Sequence, residues 1–220
     1  SAPDKTPALY NMMNFIDFDM GVYYPDGGIY KVIEALENIA KKHGVKIYTS
    51  SPVSEILVED KTAIGIKLSN GEIIKSDHVV SNADMNFTEM SLIKEDSLRT
   101  YNKKYWDKAI MGPSAFILFL GLSRKIETLT HHNLRFSKDW KKNFQEVFDN
   151  PKFPDDPSYY VSCPSKSDTS VAPAGKETLF VLVPVASHLS FTDSQKKEYR
   201  DKVINIMKKD LDIPDLEEII

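Results

Sequence analysis

Ile29, Val32, Ile33, Leu36, Ile39 and Ala40 recur at steps of three and four residues, and this spacing constrains the chain more than any other feature in it. The period gathers them on one stripe of an α-helix and leaves Lys31, Glu34, Glu37, Asn38 and Lys41 on the other face. Tyr24-Pro25-Asp26-Gly27-Gly28 breaks the chain just before the stripe. Lys41, Lys42 and His43 put positive charge in the last turn, and Gly44 is a natural exit residue. A helix over 29–43 is predicted, packed on a strand at 45–48.

Three short β segments, 53–58, 63–68 and 72–75, follow as a predicted meander. Ile64, Ile66 and Leu68 alternate with polar or small residues, which suits a sheet with one buried face. Asn70-Gly71 supplies a tight hairpin turn. Residues 78–81 read as a short strand, and Asp84 can cap a helix beginning near Met85. Beyond it, 97–106 reads as a helix and 115–120, continuously apolar, as a strand buried on both faces. Strands are expected at 131–136, 159–163 and 178–185, with a short amphipathic helix on Trp140, Phe144, Val147 and Phe148. Thr192-Asp193-Ser194-Gln195 has the form of a capping box opening a last helix, whose apolar face is Tyr199, Val203, Ile206 and Met207. The fold class is mixed α/β (α+β), with mostly antiparallel strands in the second half.

Composition narrows the function. The 220 residues allow one domain or one and a half, and 41% hydrophobic residues permit a packed core. A net charge of −4 argues against a dominant nucleic-acid surface. The single cysteine, Cys163, excludes an internal disulfide and a cysteine zinc cluster, and is expected as a small buried hydrophobe. The run 115–122 is far too short to span a bilayer, and Ser1 to Pro7 has no signal-peptide character. A cytoplasmic location is expected. The chain begins without Met and ends on an apolar stretch, so a piece of a longer protein is expected.

Isolated motifs declare no reaction. His131 and His132 would point to opposite faces of a strand and gain no third ligand at metal spacing, so no metal is expected. Asp17 and Asp19 would share a strand face, but two carboxylates are a weak acid/base signal. Asn86-Phe87-Thr88 matches a glycosylation sequon by chance. No GxGxxG and no P-loop occur.

The order of several stretches says more. Gly21-Val22-Tyr23-Tyr24-Pro25-Asp26-Gly27-Gly28, the amphipathic helix, Ser51-Pro52-Val53 and Val79-Val80-Ser81-Asn82-Ala83-Asp84 resemble the bacterial-type phytoene desaturase family. The likeness continues through Pro113-Ser114-Ala115-Phe116, His131-His132-Asn133-Leu134, Tyr159-Tyr160-Val161 and Pro164-Ser165-Lys166-Ser167-Asp168. It ends with Ser170-Val171-Ala172-Pro173-Ala174-Gly175 and Val183-Pro184-Val185, and so spans nearly the whole chain. These are flavin-dependent carotenoid oxidoreductases, related more distantly to amine oxidases.

The resemblance implies a central fragment, without the glycine-rich turn that seats the FAD pyrophosphate. Residues 21–84 would belong to the FAD-binding half, and 1–20 with 85–220 to a substrate domain built on an antiparallel sheet. Val53 would offer its main chain to the adenine edge, and the Ser81-Asn82-Ala83 turn would approach the dinucleotide. The chemistry implied is hydride removal from a polyene precursor to flavin, on a hydrophobic polyisoprenoid substrate in an apolar tunnel. Phe116, Leu118 and Leu120 share one strand face and are candidate lining, while core packing explains them equally well. No residue stands out as acid or base. The intact parent is allowed peripheral membrane contact and self-association. The chain alone is expected not to retain FAD stoichiometrically. The rivals are an amine-oxidase-like flavoenzyme with a polar, charge-lined cleft and a stand-alone lipid-binding or interaction module without flavin.

Overall fold

The structure, a computed structural model, describes residues 5–109, 111–187 and 189–220. A 3-10 turn at Ala8–Tyr10 leads into α1 (Asn11–Phe15), which runs on as a π-helical turn at Ile16–Met20. Then come α2 (Tyr30–Lys42), β1 (Val53–Glu59), β2 (Thr62–Leu68), β3 (Ile73–Lys75), α3 (Met85–Phe87) and α4 (Lys103–Trp106). The remainder is β4 (Ser114–Leu122), β5 (His132–Arg135), α5 (Trp140–Phe144), β6 (Tyr159–Ser162), β7 (Glu177–Val185), α6 (Asp193–Asp210) and α7 (Leu216–Ile219). The chain divides into two compact units, Ser1–Ile39 with Gly112–Ile220, and Ala40–Met111.

In the first unit, four strands form an antiparallel sheet in the order β4-β7-β6-β5. Side chains alternate along β7, so Leu179, Val181 and Val183 point into the core. There they join Leu120, Leu122 and Val161, together with Tyr199, Val203, Ile204 and Met207 from α6. α6 opens on the expected capping box: Thr192 Oγ1 accepts from the Gln195 amide at 3.3 Å, and Gln195 Oε1 accepts from the Thr192 amide at 3.0 Å. A buried ion pair closes one end of the sheet. Lys166 Nζ lies 2.6 Å from Glu177 Oε1, and Glu177 Oε2 accepts from the Ile126 amide at 2.9 Å.

The second unit carries the meander, β1-β2-β3, antiparallel throughout. Asp60 and Lys61 make the first turn with positive φ (47° and 61°), the conformation that matches hairpin twist. At the second turn, Asn70 Oδ1 accepts from the Glu72 amide at 3.0 Å. β2 and β3 approach so closely that a Cβ on Gly65 would fall 2.2 Å from the Ile74 carbonyl oxygen, so only glycine fits. Asp84 caps α3 through its Oδ1, which accepts from the Phe87 amide at 2.8 Å. α3 continues as a π-helical turn at Thr88–Leu92. The buried Glu89 carboxylate accepts from the Thr100 and Tyr101 amides (3.2 and 2.8 Å), which ties the following loop back to that turn.

The structure corrects six expectations. Residues 45–48 and 78–81 form no strand, since among the described residues neither has a neighbour to complete its hydrogen-bond ladder. No residue of α2 is buried, and Val45, Ile47 and Tyr48 are exposed, so the expected packing of helix on strand is absent. The helix expected over 97–106 splits into a 3-10 turn at Asp96–Leu98 and α4, because Asn102 starts a new helix by accepting from the Tyr105 amide at 3.1 Å. β4 is buried on one face only, with Ile117 and Phe119 exposed (42% and 79%). Asp17 and Asp19 sit on a helical turn, where residues two apart do not share a face.

Candidate functional site

Each unit carries one candidate region. In the second unit a cavity of about 650 Å³ opens beside the meander. Val53, Ser81, Asn82 and Ala83, thirty residues apart in sequence, all line it. Ile56, Ile66, Ile74, Val79 and Leu92 give it apolar walls, with Ser76 and His78 also at its lining. β1 is an edge strand, so the main-chain groups on its outer side face no other strand. Ser81 Oγ is held by Thr88 Oγ1 at 2.8 Å, which anchors the small-residue turn to the helical segment behind it. Apolar walls, small residues and an open strand edge suit a heterocycle read by main-chain donors and acceptors. In these respects the residues present fit the adenine end of a flavin dinucleotide.

In the first unit the sheet has two unlike faces. Phe116, Leu118 and Leu120 point inward: Leu120 belongs to the core and the other two pack against it. The Phe116 ring meets Tyr199 of α6 edge-on at 5.2 Å. Core packing accounts for the inward placement of these three, and the period-two rule puts Ile117 and Phe119 on the opposite face. On that face the strand register aligns two rows. Ile117, Leu182, Tyr160 and Leu134 form one, and Phe119, Phe180, Ser162 and His132 the other. Phe119 and Leu134 are largely exposed, and Phe119 contacts Phe180 at 5.4 Å. Neither row contains Asp, Glu, Lys or Arg.

A polar cluster lies at the β5 side of this face. His132 Nδ1 is 2.7 Å from the Tyr160 hydroxyl, and His131 Nδ1 is 2.7 Å from Ser167 Oγ. Contrary to the expected placement on opposite strand faces, the two imidazoles lie 4.3 Å apart, because His131 precedes β5, and Tyr24 meets His131 edge-on at 4.9 Å. Burial, and then the neighbouring His132, push the His131 pKa down. Burial raises the Tyr24 phenol, with the Asp168 charge adding to it. Asp168 itself is held below the usual carboxylate range, chiefly by the Ser170 hydroxyl and amide. Three stretches distant in sequence, around 24–28, 131–132 and 167–171, thus meet here. Cross-strand pairing brings His132 to Tyr160, and no local pattern signals it. Cys163 is buried, and burial raises its thiol pKa, which disfavours a nucleophilic thiolate. Among the described residues no helix is long and apolar enough to cross a membrane.

Comparison with known proteins bears on both regions. The family described as flavin containing amine oxidoreductase matches residues 1–219. A carotenoid 3,4-desaturase of Haloarcula japonica is 43% identical over 203 residues, covering 92% of this chain and 41% of that protein. A zeta-carotene-forming phytoene desaturase of Myxococcus xanthus is 36% identical over 184 residues, 84% of this chain and 35% of that protein. The chain therefore spans roughly two-fifths of the length of the curated relatives it matches. The crystal structure of an oxidoreductase from Methanosarcina mazei superposes with a TM-score of 0.60 at 18% identity, covering 91% of this chain and 43% of that one, a likeness of fold.

Proposed function

Because the chain belongs to the flavin containing amine oxidoreductase family, and within it to the phytoene desaturase type, we propose that it is the central part of a FAD-dependent desaturase acting on a carotenoid or related polyisoprenoid. The observation that carries this reading is the outer face of the four-stranded sheet, two rows of side chains rich in aromatic and branched residues and free of formal charge. Such a wall suits a long hydrocarbon and offers no carboxylate to an ammonium substrate, which weighs against an amine-oxidase-like reaction.

The division of labour follows from the two regions. Val53 presents its main chain, and Ser81, Asn82 and Ala83 a close-approaching turn, to the adenine end of FAD. The flavin, when bound, supplies the hydride acceptor for a C–H bond of the substrate. The hydrogen on the adjacent carbon leaves as a proton to solvent, and a double bond replaces the single bond. Ile117, Phe119, Phe180 and Leu134 hold the chain by dispersion.

The test uses the protein carrying this chain at the full length of its relatives, with phytoene in liposomes. The expected result is a stepwise red shift of polyene absorbance as double bonds accumulate. Oxidation of simple amines with no polyene shift would overturn the reading. Val53→Pro removes a main-chain donor at the strand edge and is expected to lower flavin content in a folded variant. Unchanged flavin content would remove Val53 from the cofactor site.

A further inference from the structure

β4 and β5 are the two edges of the four-stranded sheet, and they are edges of different kinds. β5 is four residues long and carries His132 and Arg135. β4 runs for nine residues with no charged residue, no proline and no shift of register against β7, and its outer side faces no other strand among the described residues. Short length, charge, proline and bulges are what keep sheet edges from pairing, and β4 has none of them. The register tells which of its groups are open. Ala115 stands opposite Pro184, which has no N–H, so that pair exchanges no hydrogen bonds. By the alternation of an antiparallel ladder, neither do Ile117–Leu182, Phe119–Phe180 and Gly121–Thr178. The Thr178 amide agrees with this, since it donates away from β4 to Ser165 Oγ at 3.3 Å. The N–H and C=O groups of Ala115, Ile117, Phe119 and Gly121 therefore point out of the sheet edge. All four residues are exposed, and a Cβ on Gly121 would meet nothing within 4 Å.

The next amide in that alternation already has a partner: Ser123 donates to the Ile219 carbonyl at 2.7 Å. α7 brings Ile219 there. Asp215, just before the helix, lies 2.6 Å from Arg124, so the chain passes Arg124 first and Ser123 second. It leaves α7 travelling antiparallel to β4 and arrives at the open edge. The chain covers 41% and 35% of the two relatives above, so most of a protein of that length lies outside these residues. We infer that the polypeptide continuing from Ile220 in the full-length protein joins this sheet as a further strand, antiparallel to β4 and paired with its outer edge. About eight residues, at ~3.4 Å each, run the length of the open groups. Ala115, Ile117, Phe119 and Gly121 each exchange hydrogen bonds with one residue of the added strand. The residues it sets beside Ile117 and Phe119 share their face, so the strand widens the uncharged outer wall on the side away from His132. A second copy of this chain, paired antiparallel about Leu118, would satisfy the same four residues, but it gives no reason for the carbonyl that α7 sets on Ser123.

The test is hydrogen exchange at single amides, read by mass spectrometry with electron-transfer fragmentation. Three forms are compared: the 220-residue chain, the same chain extended by the stretch of about ten residues that follows Ile220, and the full-length protein. In the 220-residue chain the Ile117, Phe119 and Gly121 amides are expected to exchange about a hundredfold faster than those of Leu118 and Leu120, which bond to β7. In the extended chain and in the full-length protein that difference is expected to vanish. Fast exchange at Ile117 and Phe119 in all three forms would leave the edge open and overturn the inference. Protection that appears in the full-length protein but not in the extended chain would give the edge to another segment, and would overturn it as well. Protection already present in the 220-residue chain, with a dimer in sedimentation, would give the edge to a second copy and overturn it too. The three forms differ only in length, so the comparison needs no substitution in the sheet. It does not involve flavin or polyene, so its failure would leave the desaturase reading standing.

Discussion

α2 and α6 are written in the same pattern and end in opposite surroundings. Each sets an apolar stripe against a charged face. α6 buries Tyr199, Val203, Ile204 and Met207 in the core of the four-stranded sheet. α2 buries nothing, and Val32, Ile33, Leu36 and Ile39 stay exposed along its length. The helices do not differ in their logic; they differ in what lies beside them. The strands that cover α6 are encoded within the chain, whereas no strand forms at 45–48. An apolar stripe specifies a helix and a face, and leaves the identity of the covering surface open.

The largest test of this contrast is to damage the interior that α2 lacks. Glu177 is buried, and Lys166 at 2.6 Å is its counter-charge. Lys166→Met strands a carboxylate in the core and is expected to cost about 3–5 kcal/mol, read by urea unfolding of the 220-residue chain. A loss below about 1 kcal/mol, the range of surface pairs, would mean that this end of the sheet is open to water. The direct comparison of the two helices comes next. Met207→Ala in α6 leaves a cavity and is expected to cost about 2–5 kcal/mol. Leu36→Ala in α2 deletes a similar side chain and is expected to change stability by no more than about 0.5 kcal/mol. Equal costs would show that α2 has a covering surface after all.

The same contrast sets how much of the fold and site can be read from sequence. The meander was legible because alternation and turn chemistry are local, and so was α6, because its capping box and stripe lie within one segment. The short segments at 45–48 and 78–81 were not, because a strand exists only with a partner and partners are not local. The sheet-face assignment shows the limit most sharply. Phe116, Leu118 and Leu120 and their alternates Ile117 and Phe119 are equally apolar, so periodicity separates two faces without saying which one α6 covers. The His132–Tyr160 pair depends on register between β5 and β6, and residue types in either segment do not reveal it. Val53 and the Ser81-Asn82-Ala83 turn reached one cavity through an ordered resemblance rather than through any local rule.

A smaller effect tests how each helix begins. Thr192 caps α6 with its side chain while Gln195 returns the bond, so two amides at the helix start are satisfied. Thr192→Ala is expected to cost about 1 kcal/mol. Thr192→Ser keeps the oxygen and is expected to restore most of it. If alanine and serine behave alike in unfolding, the start of α6 is held by packing and the capping box is incidental.

The smallest effect separates long-range ion pairing from local pairing. Asp155 lies 2.8 Å from Lys152, and Lys202 of α6 stands 3.6 Å from its other oxygen, so the carboxylate links the 149–157 loop to the helix. In α2 the Lys31–Glu34 pair at 2.7 Å is local, three residues apart. The hydrogen bond from Lys152, reinforced by the charges of Lys152, Lys202 and Lys142, lowers the Asp155 pKa from 3.8 to about 2. A depressed carboxylate binds protons more readily in the unfolded chain than in the folded one. Its stabilisation is therefore complete above about pH 4 and is lost as pH falls from there through about 2. The Asp155 side chain is about half exposed, so solvent and salt screen it and the contribution is expected to be about 1 kcal/mol or less. Unfolding free energies of the unaltered chain and of Asp155→Asn, measured from pH 5 to pH 2 at low and high salt, isolate it. The two curves are expected to differ most at pH 5 in low salt and to converge toward pH 2, because protonation erases in the unaltered chain what the substitution has already removed. A constant offset across that range would assign the loop-to-helix tie to packing and leave the charge of Asp155 without a part in it.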